Sequence, residues 1–465
     1  MLEYRKKYKS ERKVKKFIKG LATGIMSAIM ISTMGIGVAG CGKNQKLEDP
    51  STNPYDILGI GNIHIGMWVT PPDASRTQEA YDIMAESGIN FVNGFEWFEL
   101  DENRIRQALT YAGNSGLKFL VADRKVSGLI DSYAKAPTPK TIQEIMDQIE
   151  TYCSYPAYAG QLLRDEPSYS MFNALNDVIQ EYNKNYPGKQ WHINMFPTYG
   201  EAGAGAPYEQ YVDDWMELVN PNYYSYDSYP LLEVNEDNPF ARYEAEDYYY
   251  NLDILRTKTA ERRIPLWSFI QTLAIGDSKG NYHKRVPSRE DIRWQVFTNL
   301  AFGVKGLQYF CYWTPSNGSE TFSPAMIAPD GSKTEHYDQV KEVNEEVFKI
   351  GRSLLLSDSE GVILHTASTE KRFRLYKDSL TSFDCIESVS GDDVLIGCFF
   401  NRYTGEKSVM ITPTTPRDDI SITLNMKKGT KKVTAYSELS KKELAVENGA
   451  LTLNIAKGDS LYIVF

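Results

Sequence analysis

Two short stretches of this chain end apolar runs in carboxyl groups. One reads Gly160-Gln161-Leu162-Leu163-Arg164-Asp165-Glu166-Pro167, the other Tyr223-Tyr224-Ser225-Tyr226-Asp227-Ser228-Tyr229-Pro230. A carboxyl that keeps its proton can donate it, and an ionised one can accept a proton or attack an electrophile. Two carboxyls in unlike environments therefore suffice for general acid–base or covalent chemistry. Glu166 and Asp227 are the candidate pair. Other run ends supply Trp68, Glu96, Trp97, Asp165, Asn194, Tyr226, Tyr229, Gln271, Tyr312 and Trp313 as candidate binding residues. Tyr and Trp offer flat apolar faces with a polar tip, which suits sugar rings. The chain holds 31 tyrosines and seven tryptophans, most of which must serve as core and rim.

These residues need a frame that brings run ends together. From about residue 58, apolar runs alternate with amphipathic stretches, the pattern of βα units and a parallel sheet. Eight strands are expected at 63–70, 89–95, 118–123, 158–165, 192–196, 223–227, 265–272 and 306–313. Helical periodicity fills 77–87, 102–115, 141–153, 169–186 and 289–302, and a last helix at 336–355 closes the ring. Eight such units imply a (β/α)₈ barrel, whose functional residues gather at the C-terminal ends of the strands. The acidic, tyrosine-rich stretch 231–250 reads as the start of an exposed helix. Beyond residue 355 the pattern changes to short alternating runs with turn residues between them, the mark of a small all-β sandwich. The expected layout is thus a leader over 1–41, a flexible tether over 42–57, a barrel over 58–355 and a β-sandwich over 356–465.

With the frame set, the strand-4 end resembles the retaining clan of barrel glycosidases that includes the family 42 β-galactosidases. That clan ends strand 4 in Asn-Glu-Pro, with the Glu as acid/base. Glu166-Pro167 match it and Asp165 replaces the Asn. The resemblance covers about residues 58–350 and implies a glycoside hydrolase with Glu166 as general acid/base, an oligo- or polysaccharide substrate and no cofactor or metal. It also implies a −1 subsite floored by a tryptophan at the end of strand 8, here Trp313. The clan's nucleophile is a Glu ending strand 7, where this chain has Gln271, and an amide cannot take that role. Three readings stay open. Asp227 is the second carboxylate; or the substrate supplies a 2-acetamido nucleophile, since the Asp165–Glu166 pair resembles that of the family 20 hexosaminidases; or the barrel binds glycan without cleaving it.

Composition bounds the alternatives. Net charge is −10 overall, yet residues 1–40 carry a surplus of seven basic groups, leaving −17 for the rest. An acidic body argues against nucleic acid as partner. No paired-His or cysteine spacing of a metal site occurs, and Cys385 and Cys398 read as unpaired core residues. The N-terminus has a basic stretch, an uncharged apolar run over 20–40 and then Val38-Ala39-Gly40-Cys41. This is a secretory leader, and its end resembles the bacterial lipobox, which implies lipidation of Cys41 and anchoring to the outer side of the bacterial cell membrane. An uncleaved membrane anchor is the other reading of the same run.

Overall fold

The computed structural model describes residues 47–465 apart from 95–98, 100, 235–243, 317, 368–372 and 438–439. The leader, Cys41, Glu96 and Trp97 lie outside the described residues. No described helix is long and apolar enough to cross a membrane.

Eight parallel strands close into a barrel. They are β1 (His64–Met67), β2 (Phe91–Asn93), β3 (Lys118–Val121), β4 (Tyr158–Asp165), β5 (Gln190–Met195), β6 (Tyr224–Tyr226), β7 (Leu266–Gln271) and, after an inserted hairpin, β10 (Gly306–Phe310). All eight fall where the hydrophobic pattern put them. The hairpin, β8 (Ile275–Asp277) and β9 (Tyr282–Lys284), joins β11 (Glu320–Phe322) in a small antiparallel sheet. Its turn is specified locally: Asp277 Oδ1 accepts from the Lys279 and Asn281 amides, and Gly280 takes φ +88°.

The barrel interior is filled in layers. At the N-terminal end the rings of Trp267, Phe91 and His64 pack together, with centroids 4.9 and 5.3 Å apart. They fit because β1 and β10 carry glycine there. A Cβ on Gly66 would lie 2.1 Å from the Phe91 ring, and one on Gly306 2.4 Å from Trp267. Above them comes a polar layer of Asn93, His192, Ser225 and Gln308, all buried.

The tail forms two packed sheets. One has six strands: β12 (Ser357–His365), β14 (Val394–Asn401), β15 (Lys407–Pro413), β20 (Leu461–Val464), β17 (Lys432–Ser437) and β18 (Ser440–Ala445). The other holds β13 (Ile386–Gly391), β16 (Ile420–Met426) and β19 (Ala450–Ile455). Alternation assigns the two faces of the larger sheet. Ile396, Cys398, Val409 and Ile411 meet the smaller sheet, while Leu395, Phe399 and Met410 join the barrel's core. The described cysteines are all free thiols.

Two expectations are corrected. Residues 47–57 do not trail loosely. Tyr55 is buried with its hydroxyl 2.6 Å from Asp358, and the Asn53 amide caps Leu355. The tyrosine-rich helix, Tyr248–Arg262, is buried rather than exposed, because it is sandwiched between β-barrel and tail. Tyr249, for example, stacks at 4.2 Å on Phe373.

Candidate active site

A cavity of about 330 Å³ opens at the C-terminal end of the barrel. Asp165, Glu166, Asn194 and Asp227 line it, with Trp68, Tyr199, Tyr229, Phe269 and Phe310 as aromatic walls. Hairpin and β11 residues roof it: Ile275, His283 and Lys284, then Glu320 and Phe322.

A backbone irregularity aims the strand-4 acids. The β4–β5 register shifts between Leu162 and Arg164, so that Leu162 pairs with His192 but Asp165 with Asn194. One extra residue reverses the in–out alternation. Arg164 therefore turns outward to Asp131 at 2.8 Å, and Asp165 turns into the cavity. Glu166 follows with φ +43°, a left-handed conformation uncommon for a residue with a Cβ, pinned by its N–H to Asn194 O at 2.8 Å. Such conformations concentrate at functional sites.

Asn194 ties the remaining carboxyls together. Its Nδ2 donates to Asp227 Oδ1 at 2.7 Å and to Asp165 Oδ1 at 3.3 Å. Burial, followed by the nearby Asp227, Asp165 and Glu320, pushes the Glu166 carboxyl up to about 9. Asp227 is pushed up to about 7 by burial and by Asp165, against the Asn194 hydrogen bond. Burial of its carboxyl also raises Asp165, while the Asn194 hydrogen bond and Arg164 oppose the rise. Lys284 is drawn down to about 8 by burial, and its Nζ donates to Tyr229 O at 2.5 Å. Of the three acids Glu166 is held most strongly in its protonated form, and Asp165 and Asp227 give up their protons before it. That is the division between proton donor and anion that acid–base chemistry requires. No group of described residues could hold a metal ion.

A model of the glycosyl hydrolase 42 family, Glyco_hydro_42, described as Beta-galactosidase, matches residues 165–350. Among solved structures, Gan42B, a GH42 β-galactosidase, aligns with TM-score 0.58 at 9% identity over 88% of this chain and 99% of its own. The α-amylase of Anoxybacillus aligns with TM-score 0.51 at 10% identity over 87% and 98%. For the β-galactosidase of Marinomonas ef1 the values are 0.45, 13%, 61% and 59%, so this chain spans under three fifths of that enzyme's length. No curated protein matches the chain. The two alignments with TM-scores above 0.5 show that this chain shares the fold of those enzymes.

Of the sequence-selected residues, the cavity brings together Trp68, Asp165, Glu166, Asn194, Asp227 and Tyr229. Four others lie elsewhere. Tyr226 is fully buried on the outer side of β6, among Tyr208 and Tyr248, because inward Ser225 and Asp227 flank it. Gln271 is consumed by structure, its Nε2 donating to Leu273 O at 3.0 Å and Arg285 O at 2.8 Å. Tyr312 is buried toward Tyr81 and Tyr337 of the helix layer. Trp313 is 6% exposed and packs against the Gly331 loop, so Phe310 supplies the aromatic surface at this end of β10. Sequence reasoning missed Lys284, Glu320 and Phe322 altogether. The one signal for them is the Asp277–Gly280 turn between two short apolar runs.

Proposed function

We propose that this chain is a glycoside hydrolase acting on an extracellular carbohydrate, with Glu166 as general acid/base and Asp227 as the second carboxylate. The observation that carries the reading is geometric: Glu166 sits beside the Asn194-linked Asp165 and Asp227 in one aromatic-walled cavity, and burial with this crowding raises its carboxyl. The family match across residues 165–350 supports it, because it includes both acids. In the proposed reaction Glu166 delivers its proton to the glycosidic oxygen as the bond to the anomeric carbon breaks. The Asp227 carboxylate then either bonds to that carbon or takes a proton from the water that does. Water supplies the oxygen of the new hydroxyl. Where Asp227 had bonded to the carbon, Glu166 regains its proton from that water. Where Asp227 took the water's proton, it passes that proton through solvent to Glu166. Partly exposed aromatics, Tyr199 above all at 52% exposure, offer stacking faces for the sugar.

The engagement of Gln271 favours a second reading, binding of glycan without turnover, since β7 offers no carboxylate. Aryl glycosides assayed with the full chain and with Glu166→Gln separate the two. Hydrolysis that collapses in the variant supports the enzyme, whereas glycan binding with no turnover by either protein supports the lectin-like reading. The leader further supports a lipid anchor at Cys41 on the outer side of the bacterial membrane. Palmitate incorporation that survives Cys41→Ser would refute it.

A further inference from the structure

We propose that a one-way chain of hydrogen bonds through the barrel interior holds the Asn194 amide as a fixed donor to Asp165 and Asp227, making Ser225 and Gln308 positioning residues for that pair. The direction of each link follows from its neighbours. The two N–H bonds of Asn93 go to His192 Nε2 at 2.8 Å and Gln308 Oε1 at 2.7 Å. His192 therefore carries its proton on Nδ1, facing the Tyr223 hydroxyl at 3.1 Å, and burial keeps the ring neutral. Gln308, with its oxygen taken, turns its Nε2 to Ser225 Oγ at 2.9 Å. The Ser225 hydroxyl, accepting there, must send its own proton to Asn194 Oδ1 at 3.1 Å. Asn194 is left with its Nδ2 toward the carboxyls. The links from Asn93 to Asn194 Oδ1 are all buried, so water does not compete for them, and aligned links polarise one another.

The consequence is selective. Asn194 stabilises the charged forms of Asp165 and Asp227 and makes no such bond to Glu166, so the chain widens the gap between anion and acid. Other charges act on the pair: Glu166 beside it, Lys284 from β9 and Glu320 from β11 in the cavity, with the Tyr199 and Tyr229 hydroxyls, and Arg164 from the outer side. Substitution of Ser225 or Gln308 leaves all of these in place.

The effect on catalysis rests on the glycosidase reading; the effect on titration does not. Infrared difference spectra of the full chain against Asp227→Asn isolate the aspartate carboxyl band for pH titration. In Ser225→Ala the Asn194 amide loses its anchor, and the midpoint rises by about one pH unit. Ser225→Thr restores the hydroxyl and the wild-type midpoint, and the shape-conserving Gln308→Met raises it as Ser225→Ala does. The acidic limb of kcat/KM moves in step. Titration shifts without any hydrolysis would sink the glycosidase reading while keeping this one. A lower melting temperature with an unmoved midpoint in Ser225→Ala and Gln308→Met would overturn the inference.

Discussion

The two ends of the barrel treat buried polar groups in opposite ways. At the N-terminal end the buried ionisable side chains Lys305 and His64 are each tied into the frame. Lys305 Nζ donates to Leu354 O at 2.5 Å and Ser357 O at 2.7 Å, capping the closing helix, and His64 Nε2 meets Asp56 at 3.1 Å. At the C-terminal end Asp165, Glu166 and Asp227 crowd one cavity, and a single amide serves two of them. Placing like charges together in a low-dielectric site costs stability, and a fold that keeps such a cluster is spending stability on something other than folding. The lower end holds the ring closed; the upper end gathers its acids around one cavity.

The contrast can be broken at several points, the largest effect first. Asp227→Asn lowers kcat/KM by about 10²–10⁴-fold, measured on aryl glycosides. Gln271→Glu, which would restore the acid that barrel glycosidases carry there, instead costs roughly 3 kcal/mol in urea unfolding. It buries a carboxylate against the Leu273 and Arg285 carbonyls, and a gain in hydrolysis would contradict this account. Gly66→Ala, at the structural end, forces a Cβ into the Phe91 ring and costs about 2 kcal/mol, while the pH profile of kcat/KM stays in place. Tyr199→Ala raises KM about fivefold with kcat little changed, as the loss of a stacking face should. The smallest effect lies in stability against pH. Glu166 and Asp227 are raised in the folded state, to about 9 and about 7 from ordinary values of 4.5 and 3.8. The native state thus binds more protons than the unfolded one between those limits, and stability falls as pH rises from about 4 to 9. Calorimetry of Asp227→Asn should show a shallower decline and, at pH 8, a melting temperature about 2 °C higher.

The ring itself was legible, because each strand buried on both faces writes a continuous apolar run and the intervening helices write a 3.6-residue period. Strand ends were legible only where alternation continues undisturbed. At Asp227 it does, but one step of parity separates it from Tyr226, which points the other way. At β4 the bulge after Leu162 decides that Asp165 rather than Arg164 faces inward, and a bulge leaves no mark in hydrophobic pattern. Past Phe310 the strand has ended, so Tyr312 and Trp313 follow loop packing rather than sheet geometry. Lys284 and Glu320 stand on three-residue strands in long loops, too short for any period to register. β13 and β18 write little pattern for a related reason: both are exposed over most of their length and give the core only Ile386, Val389 and Leu444.

The central claim is that Glu166 enters the reaction carrying the proton that the leaving group needs. Its most direct test is the dependence of kcat/KM on leaving-group basicity, compared between the full chain and Glu166→Gln. The account predicts that the variant loses about 10²–10⁴-fold on glycosides with basic leaving groups and little on an activated aryl glycoside, which departs without protonation. An equal loss on both, or none on either, would contradict it.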